Sequence, residues 1–546
     1  MRHTTAAYTH RVTLNAGLAD HLERPRARGH TPAGAHTGAA GGAACGDLIR
    51  VSLAVDPDDP RGHIRDAGFD ASGCGASIAA GSAAVALLLD GASLLQAALI
   101  GPDRIAAELG GLTPAKRHAA ELAADALHRA LGSVLRADAR LAPAPGRTLV
   151  AMSGGVDSAV AALLAGGRHD MGGTFDEDAA EAWPDEAPEA AGRAVVAVTL
   201  ELWSDPENDG SLSCCSAQAV RGARALAHGL GIPHFSIDLR AEFRAGVVEP
   251  WLRAHAAGET PNPCVRCNGS VRLDAMLELA DRLGAEVLAT GHYARVHGGP
   301  IGANALGSGT DEAHGARGRG PATPLLRVAV DPAKDQSYAL SGLSPASLAR
   351  LRFPLGGLTK PEVRAIAERA GLPVARRRDS QDLCFLAGTR HGDFLARHGR
   401  LRARPGPLVD RAGRVLGSHG GAHTLTVGQR RGLGSGPGLD AGGEPLFVLA
   451  SDPASNTVTV GPRRELLTRT VRARQVTLHR GAEHVDAVKV RYRGALLPCR
   501  ISGAHEPGVH DQIELELHDP AERTAPGQIA CLYSGELIVG HGVIAL

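Results

Sequence analysis

Lysine is almost missing from this chain of 546 residues: four, at Lys116, Lys334, Lys360 and Lys489, stand against 54 arginines. Together with the abundance of alanine and glycine, that imbalance reads as a compositional bias of the source and assigns no function. Formal net charge is zero, which excludes a globally basic nucleic-acid binder and leaves any such contact to local basic patches. No run approaches the ~18 apolar residues of a membrane helix, so neither a span nor a membrane partner is expected. The first residues lack the apolar stretch of a secretory signal, and a cytoplasmic location is the expectation. A Walker-type G-x-x-x-x-G-K-[ST] is absent, which disfavours γ-phosphate transfer of that kind. Cysteine is scarce, with nine in all. Several fall in close pairs, which suits metal or redox chemistry better than a disulfide framework.

What is present divides into several domains, three or four at roughly 100–200 residues each. "RADARLAPAPGR" (136–147) reads as a Pro/Ala linker. "FDEDAAEAWPDEAPEAAGR" (175–193) holds seven acidic residues between Asp176 and Glu189. With the Gly-rich stretch 297–322, it reads as a solvated insertion without assigned function. Strand-like runs "RTLVAM", "AVVAVTLELW", "PHFSIDL" and "AEVLATGHY" alternate with the helical patterns "SAVAALLAG", "SAQAVRGARALAHGLG" and "SVRLDAMLELADRLG". That alternation predicts an α/β domain with a Rossmann-like parallel sheet and helices on both faces. Beyond about residue 400, "NTVTVG", "AVKVRYRG", "DQIELELH" and "GELIVGHGV" predict small β-barrel or meander domains.

The first strand–helix turn carries "LVAMSGGVDSAVAALL", in which residues 153–158 spell SGGxDS. Glycines let the backbone approach a phosphate, and the helix start adds unsatisfied N–H donors. The plain alternative is an ordinary Gly-rich turn. SGGxDS at this place resembles the PP-loop pyrophosphatases, which split ATP between the α and β phosphates and adenylate a substrate oxygen. The resemblance implies ATP, with Mg2+, as cofactor.

"TPNPCVRCNGS" (260–270) sets Cys264 and Cys267 three apart. Spacing alone leaves two readings open: a grip on a metal or cluster, or a nucleophile with an accessory thiol. "ATGHYARV", "KDQSYAL", "DSQDLCFL", "HTLTVGQRRGLG", "VRYRGALLPCRI" and "APGQIACLYSGELIVGHGVI" follow it in order. The series closely resembles the tRNA-specific 2-thiouridylase family from about residue 147 to the C-terminus. That family adenylates O2 of the wobble uridine of tRNA and transfers sulfur to C2, releasing AMP and pyrophosphate. Its partners are tRNA and a sulfur donor, a cysteine desulfurase or a relay protein.

Carried over by position, the resemblance makes Cys267 the nucleophile and Cys384 the persulfide carrier. It gives ATP contacts to Ala151, Met152, Ser153, Gly154, Gly155, Val156, Asp157, Ser158, Leu200 and Gly291. Asn262, Pro263 and Cys264 fall where the target uridine is held. His292, Lys334, Asp335, Gln336, Arg491, Tyr492 and Gln528 match tRNA contacts. Arg-rich stretches at 376–378, 397–406 and 463–475 are candidate phosphate contacts. Many relatives carry Asp where this chain has Cys264. Cys264, Cys267 and Cys384 therefore form a candidate three-thiolate set for a [4Fe–4S] cluster, similar to the cluster-dependent tRNA thiolases. A CxxC redox pair is the alternative. Cys214 and Cys215 read as packing or substrate-side residues, and Cys499 and Cys531 as small core residues.

Residues 1–135 stand apart. "ACGDLIRVSLAV", "DAGFDASGCGASIAAGSAAVALLLDG" and "LTPAKRHAAELAADAL" resemble the U-type iron–sulfur scaffold family. Cys45, Asp47, Cys74 and His118 match its ligands, while Ala119 stands where its third cysteine belongs. The resemblance implies an iron or zinc site of thiolate, carboxylate and imidazole; a degenerate structural module is the alternative. The expected order is an α+β scaffold-like domain (1–135), a linker (136–147) and a PP-loop catalytic domain (148–397, insertions at 167–193 and 297–322). A central β-rich domain (398–468) and a tRNA-binding C-terminal β-barrel (469–546) complete it. A tethered N-terminal domain is expected to deliver iron or cluster within the chain. A competing expectation makes the chain an iron–sulfur carrier with an ATPase-gated delivery role. A glutamine-fed amidotransferase lacks its signature.

Overall fold

The computed structural model describes residues 15–42, 46–137, 139–167, 194–205, 207, 216–298, 323–377, 383–435 and 444–545. Cys45, Cys214, Cys215, Arg378 and nearly all of both insertions lie outside the described residues.

The N-terminal domain is a three-stranded antiparallel sheet in the order β1-β2-β3 under a layer of helices. Its strands are β1 (His36–Gly41), β2 (Leu48–Val55) and β3 (Ile64–Ser72). The helices are α1 (Ala16–Glu23), α2 (Gly75–Leu89), α3 (Leu94–Ala97), α4 (Pro102–Glu108) and α5 (Arg117–Ala137). Small residues let these layers touch through their backbones. A Cβ at Gly81 of α2 would lie 2.4 Å from the Phe69 ring, and one at Gly38 of β1 2.1 Å from the Ala126 carbonyl of α5.

The second domain is a five-stranded sheet in the order β10-β7-β4-β5-β6, all its pairings parallel. Its strands are β4 (Thr148–Ala151), β5 (Val195–Glu201), β6 (His234–Asp238), β7 (Val287–Thr290) and β10 (Leu351–Arg352). Two short strands between them, β8 (Arg295–His297) and β9 (Leu325–Arg327), leave this sheet for the C-terminal barrel. The helices are α6 (Val156–Ala165), α7 (Ala217–Gly229), α8 (Arg240–Phe243), α9 (Glu249–Ala256), α10 (Pro263–Arg266) and α11 (Asp274–Arg282). Further along come α12 (Ser337–Leu340), α13 (Pro345–Arg350), α14 (Lys360–Arg369) and α15 (His391–Gly399). Alternate strand residues serve opposite faces. Val150, Ala197 and Ala289 pack with α6, α7 and α14. Leu149, Val196, Val198 and Leu288 belong instead to a core with α9, α11 and the aromatic rings of Trp203, Phe243, Trp251, Phe385 and Phe394.

The central domain is a four-stranded sheet, β12-β11-β14-β13. It is built from β11 (Gly406–Val409), β12 (Val415–His419), β13 (Leu446–Asp452) and β14 (Thr457–Pro462). The last domain closes six strands into a barrel: β15 (Leu467–Leu478), β16 (Ala487–Lys489), β17 (Leu497–Ile501), β18 (Gly508–Glu522), β19 (Ile529–Ser534) and β20 (Leu537–Ile544). Pairing of β15 with β20 completes the ring, which removes its free edges. "AVKVRYRG" predicts a longer strand than is found. β16 stops at Lys489, and the chain turns at Arg493, whose φ is +60°, so Arg491 and Tyr492 sit on a turn.

The N-terminal domain is docked on the catalytic sheet. α5 covers the edge strand β6 and runs beside it in the same direction. His128 faces His234 at the start of β6, with ring centroids 6.2 Å apart. A Cβ at Gly132 would fall 2.1 Å from the Ser236 carbonyl. Arg136 bonds the Asp238 carbonyl at the end of β6. Asp125 joins Arg224 at 2.6 Å and Arg221 at 2.6 Å from α7. Only 3% of the Arg224 side chain is exposed, so this charge is held inside the interface. The stretch expected as a hinge is packed instead. Ala139 and Leu141 are buried. Leu141 N–H donates to the Arg282 carbonyl at 2.8 Å, and Ala142 N–H to the Pro60 carbonyl at 2.9 Å, stitching one domain to each side.

Candidate functional site

The SGGxDS turn lies at the C-terminal end of β4, where open parallel sheets bind ligands. Gly154 has φ +72°, a left-handed conformation that favours glycine. No side chain caps α6 at Gly155, so its first N–H groups face the turn. Ser158 Oγ accepts from Ser153 N–H at 3.1 Å and donates to the Gly155 carbonyl at 3.0 Å, fixing the curve of the loop. Gly291 closes it from β7: a Cβ there would lie 2.8 Å from the carbonyl carbon of Asp157 and from the Ser158 nitrogen. Leu200 lies in β5, buried, on the neighbouring strand. A cradle of backbone N–H groups, Gly291 without room for a side chain, Gly154 in a left-handed conformation and a nearby carboxylate fit a nucleotide phosphate chain.

Two groups that the sequence reading passed over, Lys360 and Tyr293, face this loop, together with Arg377 of the Arg-rich stretch 376–378. Lys360 Nζ donates to Asp157 Oδ1 at 2.7 Å and Oδ2 at 2.8 Å. Tyr293 Oη–H donates to Asp157 Oδ1 at 2.9 Å, and Arg377 Nη1–H to the Gly154 carbonyl at 3.0 Å. The available signal for Lys360 was its rarity, placed within "LTKPEV". There Thr359 and Glu362 form a capping box, which fixes where α14 starts.

The TPNPC turn is organised by Asn262, whose Oδ1 accepts from Cys264 N–H at 3.0 Å and caps α10. Cys267 ends α10 and opens a π-helical segment, Cys267–Leu273, that contains non-helical backbone at Gly269. Such segments break the regular ladder and recur at functional sites. Cys267 is buried and Cys264 half-buried. Burial pushes the Cys264 thiol up, and the Arg272 guanidinium opposes that rise. Arg272, on the same π segment, also faces His292. Burial first, then Arg272, lowers the His292 imidazole to about 3, so it is neutral and bonded to Thr290 Oγ1 at 2.7 Å. Cys384 packs against the same aromatic core as Cys267. None of the six described cysteines is in a disulfide.

Three domains meet around this turn. Thr260 N–H donates to the Pro526 carbonyl at 2.8 Å, and the Gln528 side-chain amide donates back to the Thr260 carbonyl at 2.5 Å. Thr260 Oγ1 lies 3.2 Å from Thr426 Oγ1 of the central domain. Glu259 takes two bonds from Arg474 of β15, at 2.7 and 2.9 Å. Tyr492 is exposed, beside Tyr338 at 6.1 Å between centroids, with Arg493 over its ring at 5.5 Å. Arg491 lines a groove of about 710 Å³ with Arg463 and Arg464. Asp335 and Gln336 serve the chain itself: Asp335 accepts from Ala329 and Ser337 N–H groups, and Gln336 locks onto the Tyr293 backbone. Lys334 is half-buried beside them. Cys499 and Cys531 are buried in the barrel, each pushed up to about 12 by burial.

A separate site stands on the N-terminal domain. Asp47, Cys74 and His118 bring their ligand atoms within 4.8 Å of one another, the one such group of three among the described residues. Asp47 Oδ2 lies 3.3 Å from Cys74 Sγ, 2.9 Å from Ser77 Oγ and 3.2 Å from His118 Nε2. Burial would raise the Asp47 carboxyl, but donors from Cys74, Ser77 and His118 outweigh it and hold it at about 2. Gly73, φ +128°, is pressed so close that a Cβ would overlap Asp47 Oδ1. A carboxylate, a thiol and an imidazole converging in this way fit a first-row metal ion. Ala119, next to His118 on α5, is fully buried in the core and brings no ligand atom. Cys45 lies outside the described residues.

Fold and sites together define a PP-loop-type α/β protein fused to a domain with its own candidate metal site. Residues 14–139 match the NifU-like N terminal domain, and 185–388 the tRNA methyl transferase HUP domain. Residues 392–462 match the tRNA methyl transferase PRC-barrel domain, and 468–544 the Aminomethyltransferase beta-barrel domain. The bifunctional protein NifU/MnmA of Rubrobacter xylanophilus is 42% identical over 540 residues, covering 96% of this chain and 97% of its own. The tRNA-specific 2-thiouridylase MnmA of Sorangium cellulosum is 40% identical over 414 residues, 73% of this chain and 92% of its own. That of Geobacter metallireducens is 36% identical over 406 residues, 73% of this chain and 96% of its own. The chain belongs to the bifunctional NifU/MnmA family.

Proposed function

We propose that this chain is a tRNA-uridine 2-sulfurtransferase, using ATP to activate O2 of the wobble uridine and placing sulfur at C2. The observation that carries the reading is the joining of three domains at the TPNPC turn, which sets Cys267 among a PP-loop sheet, an Arg-lined barrel and the exposed Tyr492. In the proposed first step uridine O2 attacks the α-phosphorus, the bond to the β-phosphate oxygen breaks, and pyrophosphate leaves with the electron pair. The N3 proton is lost to solvent. O2 then departs as part of AMP, which a carbonyl oxygen by itself does not do.

A persulfide on Cys384, loaded by an external sulfur donor, attacks C2 with its terminal sulfur and displaces AMP. The Cys267 thiolate attacks Cys384 Sγ, breaking the sulfur–sulfur bond and leaving the sulfur on C2. The resulting Cys267–Cys384 disulfide takes two electrons from a cellular dithiol before the next cycle. Asn262 and Pro263 hold the uridine, His292, neutral, lends a hydrogen bond, and Lys334, Arg491, Tyr492 and Gln528 meet the tRNA.

Cys264 gives the second reading. A thiol at this position would, with Cys267 and Cys384, offer three ligands to a [4Fe–4S] cluster, which would supply the sulfur in place of the persulfide. Iron analysis and electron paramagnetic resonance of anaerobically purified protein separate the two: iron-free protein with full turnover leaves the persulfide route. On the N-terminal domain, Asp47, Cys74 and His118 are proposed ligands for iron or zinc. The function as a whole is tested by nucleoside mass spectrometry of tRNA from a deletion strain. Wobble 2-thiouridine at wild-type level there would refute it.

A further inference from the structure

Lys360 is the first residue of α14, and only 10% of its side chain is exposed. Both facts need a cause. A cation in the first turn opposes the positive end of the helix dipole, and a buried ammonium is costly unless paired. The pair it makes with Asp157 is not explained by stability, because apolar side chains bridge α6 and α14 at least as well as a buried ion pair. Asp157 keeps 32% of its side chain exposed, so the pair borders open space at the loop. The backbone of Gly291 presses against Asp157 from the other side, and Tyr293 fixes one carboxylate oxygen. Arg377 adds a second cation at Gly154. Positive charge gathers on one flank of the turn, at the end of an element some 200 residues downstream.

We propose that Lys360 is the cation that receives pyrophosphate as it leaves, held ready by Asp157 until nucleotide phosphates take it over. The inference rests on the reading that this loop splits ATP between its α and β phosphates. As that bond breaks, the electron pair and the growing charge go to the pyrophosphate oxygen, where a fixed ammonium stabilises them. Asp157, relieved of its partner, is left as a carboxylate for the divalent cation that accompanies ATP.

The test compares wild type, Lys360→Met and Lys360→Arg in two assays: AMP formation with tRNA, and calorimetric binding of magnesium pyrophosphate without tRNA. Removing one such donor costs about 10²–10³-fold in kcat. The methionine variant is expected to lose that, with pyrophosphate inhibition weakened at least ~10-fold and AMP inhibition unchanged. The arginine variant should recover most of both. Pyrophosphate affinity and inhibition unchanged in Lys360→Met overturn the inference, even where activity falls. A wild type that binds pyrophosphate through Lys360 but makes no 2-thiouridine overturns the sulfurtransferase reading alone.

Discussion

Acid should loosen the N-terminal domain before it unfolds the barrel. Three histidines lie in that interface: His128 on α5, His228 at the end of α7 and His234 at the start of β6. The His128 ring centroid is 5.7 Å from that of His228 and 6.2 Å from that of His234. Their bonded partners are neutral: the Ile100 carbonyl, the Ala98 carbonyl and Thr199 Oγ1. The charged neighbours are Arg224, which disfavours protonation of all three, and Asp125 and Arg221 paired beside it. Burial first, and Arg224 with it, puts His228 at about 4 and the other two well below the usual histidine range. The undocked state therefore binds more protons, so stability rises with pH and is lost as pH falls through about 6.5. For an imidazole that stays neutral while docked, going from pH 7.5 to 5.5 costs about 1.4 kcal/mol, however low its docked value. Three such groups withdraw about 4 kcal/mol, roughly a thousandfold in the docking equilibrium. Hydrogen–deuterium exchange of the full chain, corrected for intrinsic rates, should show that loss at α5 and β6 relative to β18. His128→Gln should reduce it by about a third. A loss below about 1 kcal/mol at both elements would refute the reasoning.

Cys267→Ser and Cys384→Ser should each abolish 2-thiouridine formation, measured on digested tRNA, while ATP binding persists. Gly291→Ala drives a methyl against the Asp157–Ser158 backbone, and should raise the KM for ATP at least ~10-fold with tRNA affinity unchanged, read by filter binding. Tyr492→Ala removes an exposed aromatic face, and should weaken tRNA binding by about 1–3 kcal/mol in the same assay. Asp47→Ala with Cys74→Ala should strip metal from the N-terminal domain by elemental analysis and leave the thiolation rate unchanged when iron is not limiting.

Much of the architecture could be read from the chain because buried parallel strands are continuous apolar runs. Every residue of β4, "TLVA", is buried. The cysteine motifs were equally visible, since their spacing is local. What escaped was made by contacts between distant backbones. Gly132 and Gly38 look like helix and strand weaknesses in sequence, yet they are where α5 is sandwiched between two sheets. Asp125 and His128 read as an ordinary polar face until α7 and β6 cover them. The π-helical segment after Cys267 has no compositional mark, since an i→i+5 bond asks for no particular residue. The pairing of Lys360 with Asp157 emerges only once α14 is placed beside α6.

The shared direction of α5 and β6 sets the two candidate sites at different levels along the sheet. Gly132 is level with Ser236, close to the edge of the sheet where the SGGxDS loop sits. His118 lies fourteen residues earlier on the same helix, about 21 Å down the axis at 1.5 Å per residue. His118 thus lies toward the opposite end of β6 from the SGGxDS loop, with the length of α5 between them. The packed strap at 139–144 leaves no slack to swing one site round to the other, so the concentration advantage of a short tether does not operate while the domains are docked. A ligand gathered at Asp47, Cys74 and His118 therefore starts about 21 Å along the helix from the level of the SGGxDS loop. In that geometry one chain guarantees the two halves equal supply, and the strap at 139–144 fixes the distance between them.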